Sequence, residues 1–182
     1  GSEMCIRDRA CNIVKNNDFN IKGSEKETYC LGKMCLKKAK IPAHNKAVYF
    51  EYFNQKILKP FIYVPWTSKP FIFDNTLAIL QMRINSDVER IIIKRKRPFI
   101  QMLFQGQFKT KTLRRIATGF KRLVKIPFFV FDLQVMIDTT GSLWAIDFSK
   151  NISYNEHELN IQKQDLMTLH YFAKESIHNL SK

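Results

Sequence analysis

The stretch Asp132-Leu-Gln134-Val-Met-Ile-Asp138-Thr-Thr-Gly141-Ser-Leu-Trp144-Ala-Ile-Asp147-Phe-Ser149 decides how this chain is read. Val135–Asp138 and Ser142–Ile146 are short apolar, β-prone runs. Thr139-Thr140-Gly141 between them has turn chemistry, so the segment predicts a β-hairpin. Antiparallel pairing about a centre near residues 139–140 sets Asp132 across from Asp147 at the open end of that hairpin. Two carboxylates meeting there would serve a divalent cation or accept a proton. Aspartate is also common at strand ends for turn reasons alone, so the pair has a purely structural reading as well.

Upstream of the hairpin, Thr110–Lys125 predicts a helix. Leu113, Ile116, Ala117, Phe120, Leu123 and Val124 share one face, while Arg114, Arg115, Lys121, Arg122 and Lys125 fall away from it. Pro127 ends the helix and Phe128–Phe131 leads into the hairpin. Downstream, a polar loop precedes a second helix, Glu158–Asn179, expected to bury Leu159, Leu166, Leu169, Phe172 and Ile177. Val88–Phe108 reads equally as a strand with a loop or as a short helix. Phe61–Trp66, Pro70–Phe73 and Thr76–Ile84 suit an antiparallel meander. Pro42 opens a helix over Ala43–Leu58, and Thr28–Lys38 suits a strand pair or one bent strand around Gly32. Residues 10–28 are polar and read as irregular or weakly extended. The order predicts an α+β arrangement.

The chain has 182 residues, 45% of them hydrophobic, enough for one domain or for two small lobes sharing a core. It has no apolar run of the roughly 18–20 residues that would span a bilayer. No secretory signal is visible in the polar, charged N-terminus. Glu3-Met-Cys-Ile-Arg-Asp-Arg9 looks like the translation of a transposon end used in preparing sequencing libraries. Residues 1–10 are therefore read as a non-native scar and set aside from fold reasoning.

With Cys5 in that segment, Cys11, Cys30 and Cys35 are an odd remainder without CxxC spacing. This argues against a disulfide framework or a zinc cluster and favours a reducing compartment. His44, His157, His170 and His178 add no metal-ligand spacing. The formal charge is +14, and residues 83–125 hold 13 Lys/Arg against 2 Asp/Glu. Such a segment attracts nucleic acid, an anionic membrane surface, nucleotide phosphates or an acidic protein, or is simply a solvated basic face. Lys94–Arg97 within it reads as a solvated loop, a nuclear-localisation patch or a phosphate-binding stripe.

The element order and its charged positions resemble the protein-kinase fold in minimal form, similar to the small kinases that bacterial pathogens inject into host cells. In that family a helix leads to a catalytic loop, a short hairpin and an Asp-Phe-Gly motif. The counterparts are Thr110–Lys125, Phe131-Asp132-Leu133-Gln134, Val135–Ile146 and Asp147-Phe148-Ser149. The resemblance implies a compact bilobal fold, with a β-rich N-lobe over residues 11–84 and a reduced helical C-lobe over 85–182. It implies transfer of the γ-phosphoryl group from ATP, with magnesium, to a protein hydroxyl of the Ser/Thr type. Asp132 would accept or orient the substrate proton, Asp147 would hold the metal, and Gln134 would stand in for the metal-binding Asn. Lys37, with Lys38 as the alternative, would meet the phosphates, and Glu51 would be its ion-pair partner. Gly23-Ser24 would stand where the family has a glycine-rich, phosphate-covering loop.

The chain departs from the family pattern at several points. Val130-Phe131 replaces the family's His-Arg, Ser149 replaces the glycine of Asp-Phe-Gly, and neither G-x-G-x-x-G nor Ala-Pro-Glu is present. A monomer acting on a protein substrate is the reading implied. The rivals are a basic module for nucleic acid or an anionic surface, and a nucleotide-binding pseudokinase without turnover.

Overall fold

A computed structural model describes residues 3–148 and 152–180; Ser149 lies outside the described residues. The protein is α+β and divides into two units. The first takes in residues Gly1–Ile57, Pro65–Ile84 and Phe148–Lys150. The second takes in Leu58–Val64, Asn85–Asp147 and Asn151–Lys182.

The first unit is built from helix α1 (Glu3–Asn16), strands β1 (Phe19–Lys22), β2 (Lys26–Leu31) and β3 (Met34–Ala39), helix α2 (Asn45–Leu58), and strands β4 (Phe71–Phe73) and β5 (Thr76–Met82). The strands form one antiparallel sheet in the order β1-β2-β3-β5-β4. Its two tight hairpins use residues that tolerate left-handed backbone. Gly32 has φ 60° in the β2–β3 turn, and Asp74 and Asn75 have φ 48° and 66° in the β4–β5 turn. Alternate side chains of a strand point to opposite faces, so each face of the sheet needs its own cover. On one face Leu36, Ala78, Leu80, Phe71 and Phe73 pack with Ala10 and Ile13 of α1. On the other, Ala39 and Ile79 pack with Val48 of α2.

Helix α1 differs from the sequence reading, which sets residues 1–10 aside and reads 10–28 as irregular or weakly extended; the extended part holds in β1 and the start of β2. Ala10 and Ile13 are buried and, with the partly covered Ile6 and Val14, form one apolar helical face packed on the sheet, so tertiary packing stabilises the helix. A second difference is the disulfide between Cys30 and Cys35. These cysteines are a directly opposed cross-strand pair in the β2–β3 register, a proximity that Cys counting does not reveal. The third concerns residues 61–66, expected as a strand. Preceded by Pro60 and interrupted by Pro65, they form no regular strand; Tyr63 makes an isolated parallel bridge to Trp144.

In the second unit come β6 (Ile91–Ile92), α3 (Arg97–Leu103), α4 (Thr110–Val124), β7 (Phe129–Val130), β8 (Gln134–Ile137), β9 (Leu143–Ile146), β10 (Ile152–Ser153) and α5 (Glu156–Leu180). The undecided stretch 88–108 thus holds both a short strand and a short helix, with Pro98 at the start of the helix where its missing N–H costs nothing. Helix α4 buries Leu113, Ile116, Ala117, Phe120 and Leu123 and packs along α5. On α5 the buried residues are Gln162, Leu166, Leu169, Ala173 and Ser176, while Leu159, Phe172 and Ile177 are only partly covered. Gln162 is buried because its amide closes two backbone gaps, accepting from the Val130 N–H at 2.9 Å and donating to the Phe128 carbonyl at 3.2 Å.

Strands β6, β8 and β9 form a three-stranded antiparallel sheet in the order β6-β8-β9. The turn of the β8–β9 hairpin is tied by Asp138. Its Oδ1 accepts from Thr140 N at 2.9 Å, Thr140 Oγ1 at 2.6 Å and Ser142 N at 3.0 Å, and its Oδ2 accepts from Trp144 Nε1 at 2.9 Å. Burial alone would raise the Asp138 carboxyl, but these hydrogen bonds outweigh it and hold the group below the usual aspartate value. The helix and hairpin meet closely. A Cβ on Gly119 would lie 2.5 Å from Leu143 Cγ, and one on Gly141 would lie 2.8 Å from the Thr112 carbonyl oxygen.

Among the described residues, no helix is long and apolar enough to cross a membrane.

Candidate functional site

The sequence-predicted residues fall into two sets, one in each unit. In the first unit, Lys37 is the fourth residue of β3 and sits opposite Thr28 and Ile79. Its ammonium lies 2.6 Å from Glu51 Oε1. Lys38 points to the other face of the sheet, near Glu27 at 3.8 Å, so Lys37 and not Lys38 meets the helix glutamate. Glu51 is fully buried, and its second oxygen is held by Lys26 at 2.7 Å, a partner absent from the sequence reading. A carboxylate withdrawn from water in this way is stable only with its charge matched, and here two lysines match it. Gly23 lies in the turn between β1 and β2, where its N–H donates to the Lys26 carbonyl at 2.9 Å.

The same helix carries Asn54, whose Nδ2 donates to the Phe148 carbonyl at 2.9 Å. Phe148 is only 2% exposed. The residue that follows Asp147 in the chain is therefore buried and pinned by a side chain one turn beyond Glu51.

The second unit places Asp132, Gln134 and Asp147 around the open end of the β8–β9 hairpin. The register pairs Gln134 with Ile146, so the strands stop one residue short of Asp147 and two short of Asp132. Both aspartates have left-handed backbone, with φ 53° and 59°. Aspartate is among the non-glycine residues that enter this region most readily, so both positions end the strands without the cost a branched residue would carry.

Arg90, not foreseen from sequence, joins these residues. Its Nη1 donates to Asp147 Oδ2 and, at 3.1 Å, to Gln134 Oε1. The other end of the Gln134 amide donates to Asp132 Oδ2 at 2.8 Å. A guanidinium only donates and a carboxylate only accepts, so the two partners fix which way the amide points. The result is a chain of four groups, Asp132–Gln134–Arg90–Asp147. Nothing in the sequence marks position 90, because the segment around it, 88–108, suits a strand with a loop and a short helix equally. What brings it in is the pairing of Ile91 with Val135 and Ile92 with Gln134.

The donor chemistry here fits a hard divalent cation. Gln134 Oε1 and Asp147 Oδ2 converge on one positively charged nitrogen, and magnesium takes oxygen ligands of this kind, commonly only one or two carboxylates completed by phosphates and water. Among the described residues no three His, Cys, Asp or Glu side chains group as a metal site.

No protein-family model matches the chain, and no curated protein matches it.

Proposed function

We propose that this chain is a kinase-like phosphotransferase that moves the γ-phosphoryl group of ATP to a protein hydroxyl. The observation that carries this reading is the convergence of the Gln134 amide oxygen and the Asp147 carboxylate on a single cationic nitrogen, with Asp132 bonded to the same amide. The buried Lys37–Glu51 pair supports it, since a phosphate-binding lysine needs a carboxylate to hold its extended side chain in place.

In this reading Lys37 binds nucleotide phosphate and Glu51 orients it. Asp147 and Gln134 hold magnesium, which when bound neutralises phosphate charge. Asp132 orients the acceptor hydroxyl and takes its proton, and Gln134 keeps the Asp132 carboxylate aimed. The kinase-like bilobal arrangement, and use as an effector in a host cell, belong to the same proposal. With Val130-Phe131 before Asp132, no arginine stands there to read a phosphorylated activation loop, so activity is constitutive or partner-triggered.

One observation favours a second reading. Arg90 already neutralises the oxygens that magnesium would use, as in a pseudokinase that binds nucleotide without turnover. Incubation with γ-labelled ATP, magnesium and general protein acceptors separates the two. Label transferred by the native chain and lost in Asp132→Ala and Asp147→Ala supports the enzyme. Thermal stabilisation by ATP with magnesium, without any transfer, supports the pseudokinase.

A further inference from the structure

The second unit contains a cleft of about 420 Å³ that is lined by none of Arg90, Asp132, Gln134 and Asp147. That volume falls in the range of roughly 300–1,000 Å³ typical of small-molecule sites. One wall is α4, which presents Arg114, Arg115 and Arg122. Arg115 and Arg122 are seven apart and share a helical face, and Arg114 stands beside it. The opposite wall is the edge of the β8–β9 hairpin at Ser142 and Leu143, with Tyr63 beside it. Gly119 lets hairpin and helix approach closely at the floor.

The walls are held in place by contacts of their own. The Ala145 N–H donates to the Tyr63 carbonyl at 3.0 Å, and the Tyr63 and Trp144 rings lie 5.3 Å apart. The Arg122 guanidinium sits over the Tyr63 ring at 5.5 Å, and Arg115 Nη1 reaches the Thr140 carbonyl at 3.4 Å. Among the described residues, no carboxylate lines the cleft or forms an ion pair with any of the three arginines. Three arginines thus line one concavity, Arg122 with an aromatic partner and Arg115 with a carbonyl one, and among the described residues no acid neutralises them.

A solvated basic face would spread its charges along the helix. Here the arginines converge on a walled space while Lys111, Lys121 and Lys125 of the same helix region lie outside it. Guanidinium is the group best suited to grip phosphate, because its planar fork donates two parallel hydrogen bonds. We propose that this cleft binds a compact polyphosphate, several phosphate groups on one small scaffold, either free in solution or as the head group of a phosphoinositide lipid. The site lies wholly within the second unit and does not depend on the phosphotransferase reading.

The test uses the full chain at physiological salt, with inositol hexakisphosphate as the probe and Trp144 fluorescence beside calorimetry as the readout. Saturable one-to-one binding is expected. Combined Arg114→Gln, Arg115→Gln and Arg122→Gln should weaken it by roughly a hundredfold, and Arg115→Gln alone by about tenfold. Combined Lys111→Gln, Lys121→Gln and Lys125→Gln removes the same charge and should leave affinity within about threefold, the effect of general field alone. Vesicles of phosphatidylcholine with phosphatidylinositol bisphosphate, set against vesicles matched in charge with phosphatidylserine, identify the source. Preference for the phosphoinositide makes it a lipid head group, and binding of the soluble probe alone makes it a free polyphosphate. No saturable binding, or equal loss in the arginine and lysine variants, would overturn the proposal. So would single-stranded RNA that outcompetes the probe and is lost alike from both variants.

Discussion

Arg90 and Asp147 form an ion pair at the mouth of the β8–β9 hairpin, and the same guanidinium nitrogen also holds Gln134 at 3.1 Å. Arg90 is about half exposed, and exposed ion pairs contribute only about 0–1 kcal/mol. A cation that needs these oxygens therefore displaces Arg90 at little cost. Arg90→Ala should tighten Mn²⁺ binding, read by its paramagnetic resonance signal, by no more than roughly fivefold, while leaving the melting temperature almost unchanged. Mn²⁺ affinity that falls on removing this positive charge would mean that Arg90 organises the site rather than competing for it.

Glu51 is buried between two lysines, so the three positions are not equivalent. Glu51→Ala leaves Lys26 and Lys37 facing each other with their shared partner gone, a change of the kind that costs about 3–5 kcal/mol. Lys37→Ala still leaves Lys26 on the carboxylate and should cost clearly less. Urea titrations of the two variants check the order. A Lys37→Ala chain as unstable as Glu51→Ala would show that Lys26 does not compensate.

Acid should loosen the β8–β9 hairpin through Asp138. Its carboxyl is held below the ordinary value of 3.8 by hydrogen bonds that overcome the effect of burial. A depressed folded-state value means that the contribution is complete above the unfolded value and disappears as pH falls through the folded one. Trp144, bonded to the same carboxylate, reports the change. Its fluorescence should stay constant down to about pH 4 and shift below that. Asp138→Ala should remove the acid step and cost about 1–3 kcal/mol at neutral pH, by leaving several donors without an acceptor. An unchanged acid profile in that variant would exclude Asp138 as the group responsible.

The Cys30–Cys35 bond closes a short loop, spanning five positions in sequence, so its effect on the unfolded chain is limited. Reduction should lower stability by about 2 kcal/mol, and a chain with both Cys30→Ser and Cys35→Ser should be insensitive to reductant. Mass measurement after thiol alkylation counts the reactive cysteines. Four alkylated cysteines without reductant would contradict the bond.

The hairpin and its two flanking helices were legible from sequence because their signals are local. Thr139-Thr140-Gly141 is turn chemistry, and the face Leu113-Ile116-Phe120-Leu123 has helical period. The Lys37–Glu51 contact was legible only through family resemblance, since nothing at either position marks the other. What escaped is set by register and tertiary packing. Cys30 meets Cys35 because a two-residue turn puts them opposite, and Lys26 reaches Glu51 from the neighbouring strand. Arg90 enters the site through strand β6, which has only two residues and too little pattern to be recognised. Residues 61–66 misled in the other direction, because β-prone composition does not supply a partner strand.

In the proposed phosphotransferase, Asp132 and Asp147 serve phosphoryl transfer rather than hairpin structure. The most direct test is single-turnover transfer from γ-labelled ATP with magnesium, comparing the native chain with Asp132→Asn and Asp147→Asn. These near-isosteric changes keep the turn geometry that asparagine also tolerates. The native chain should yield labelled protein and ADP in equal amounts, and either variant at least a hundredfold less. Label that accumulates equally in all three chains, or in none of them, would contradict that role.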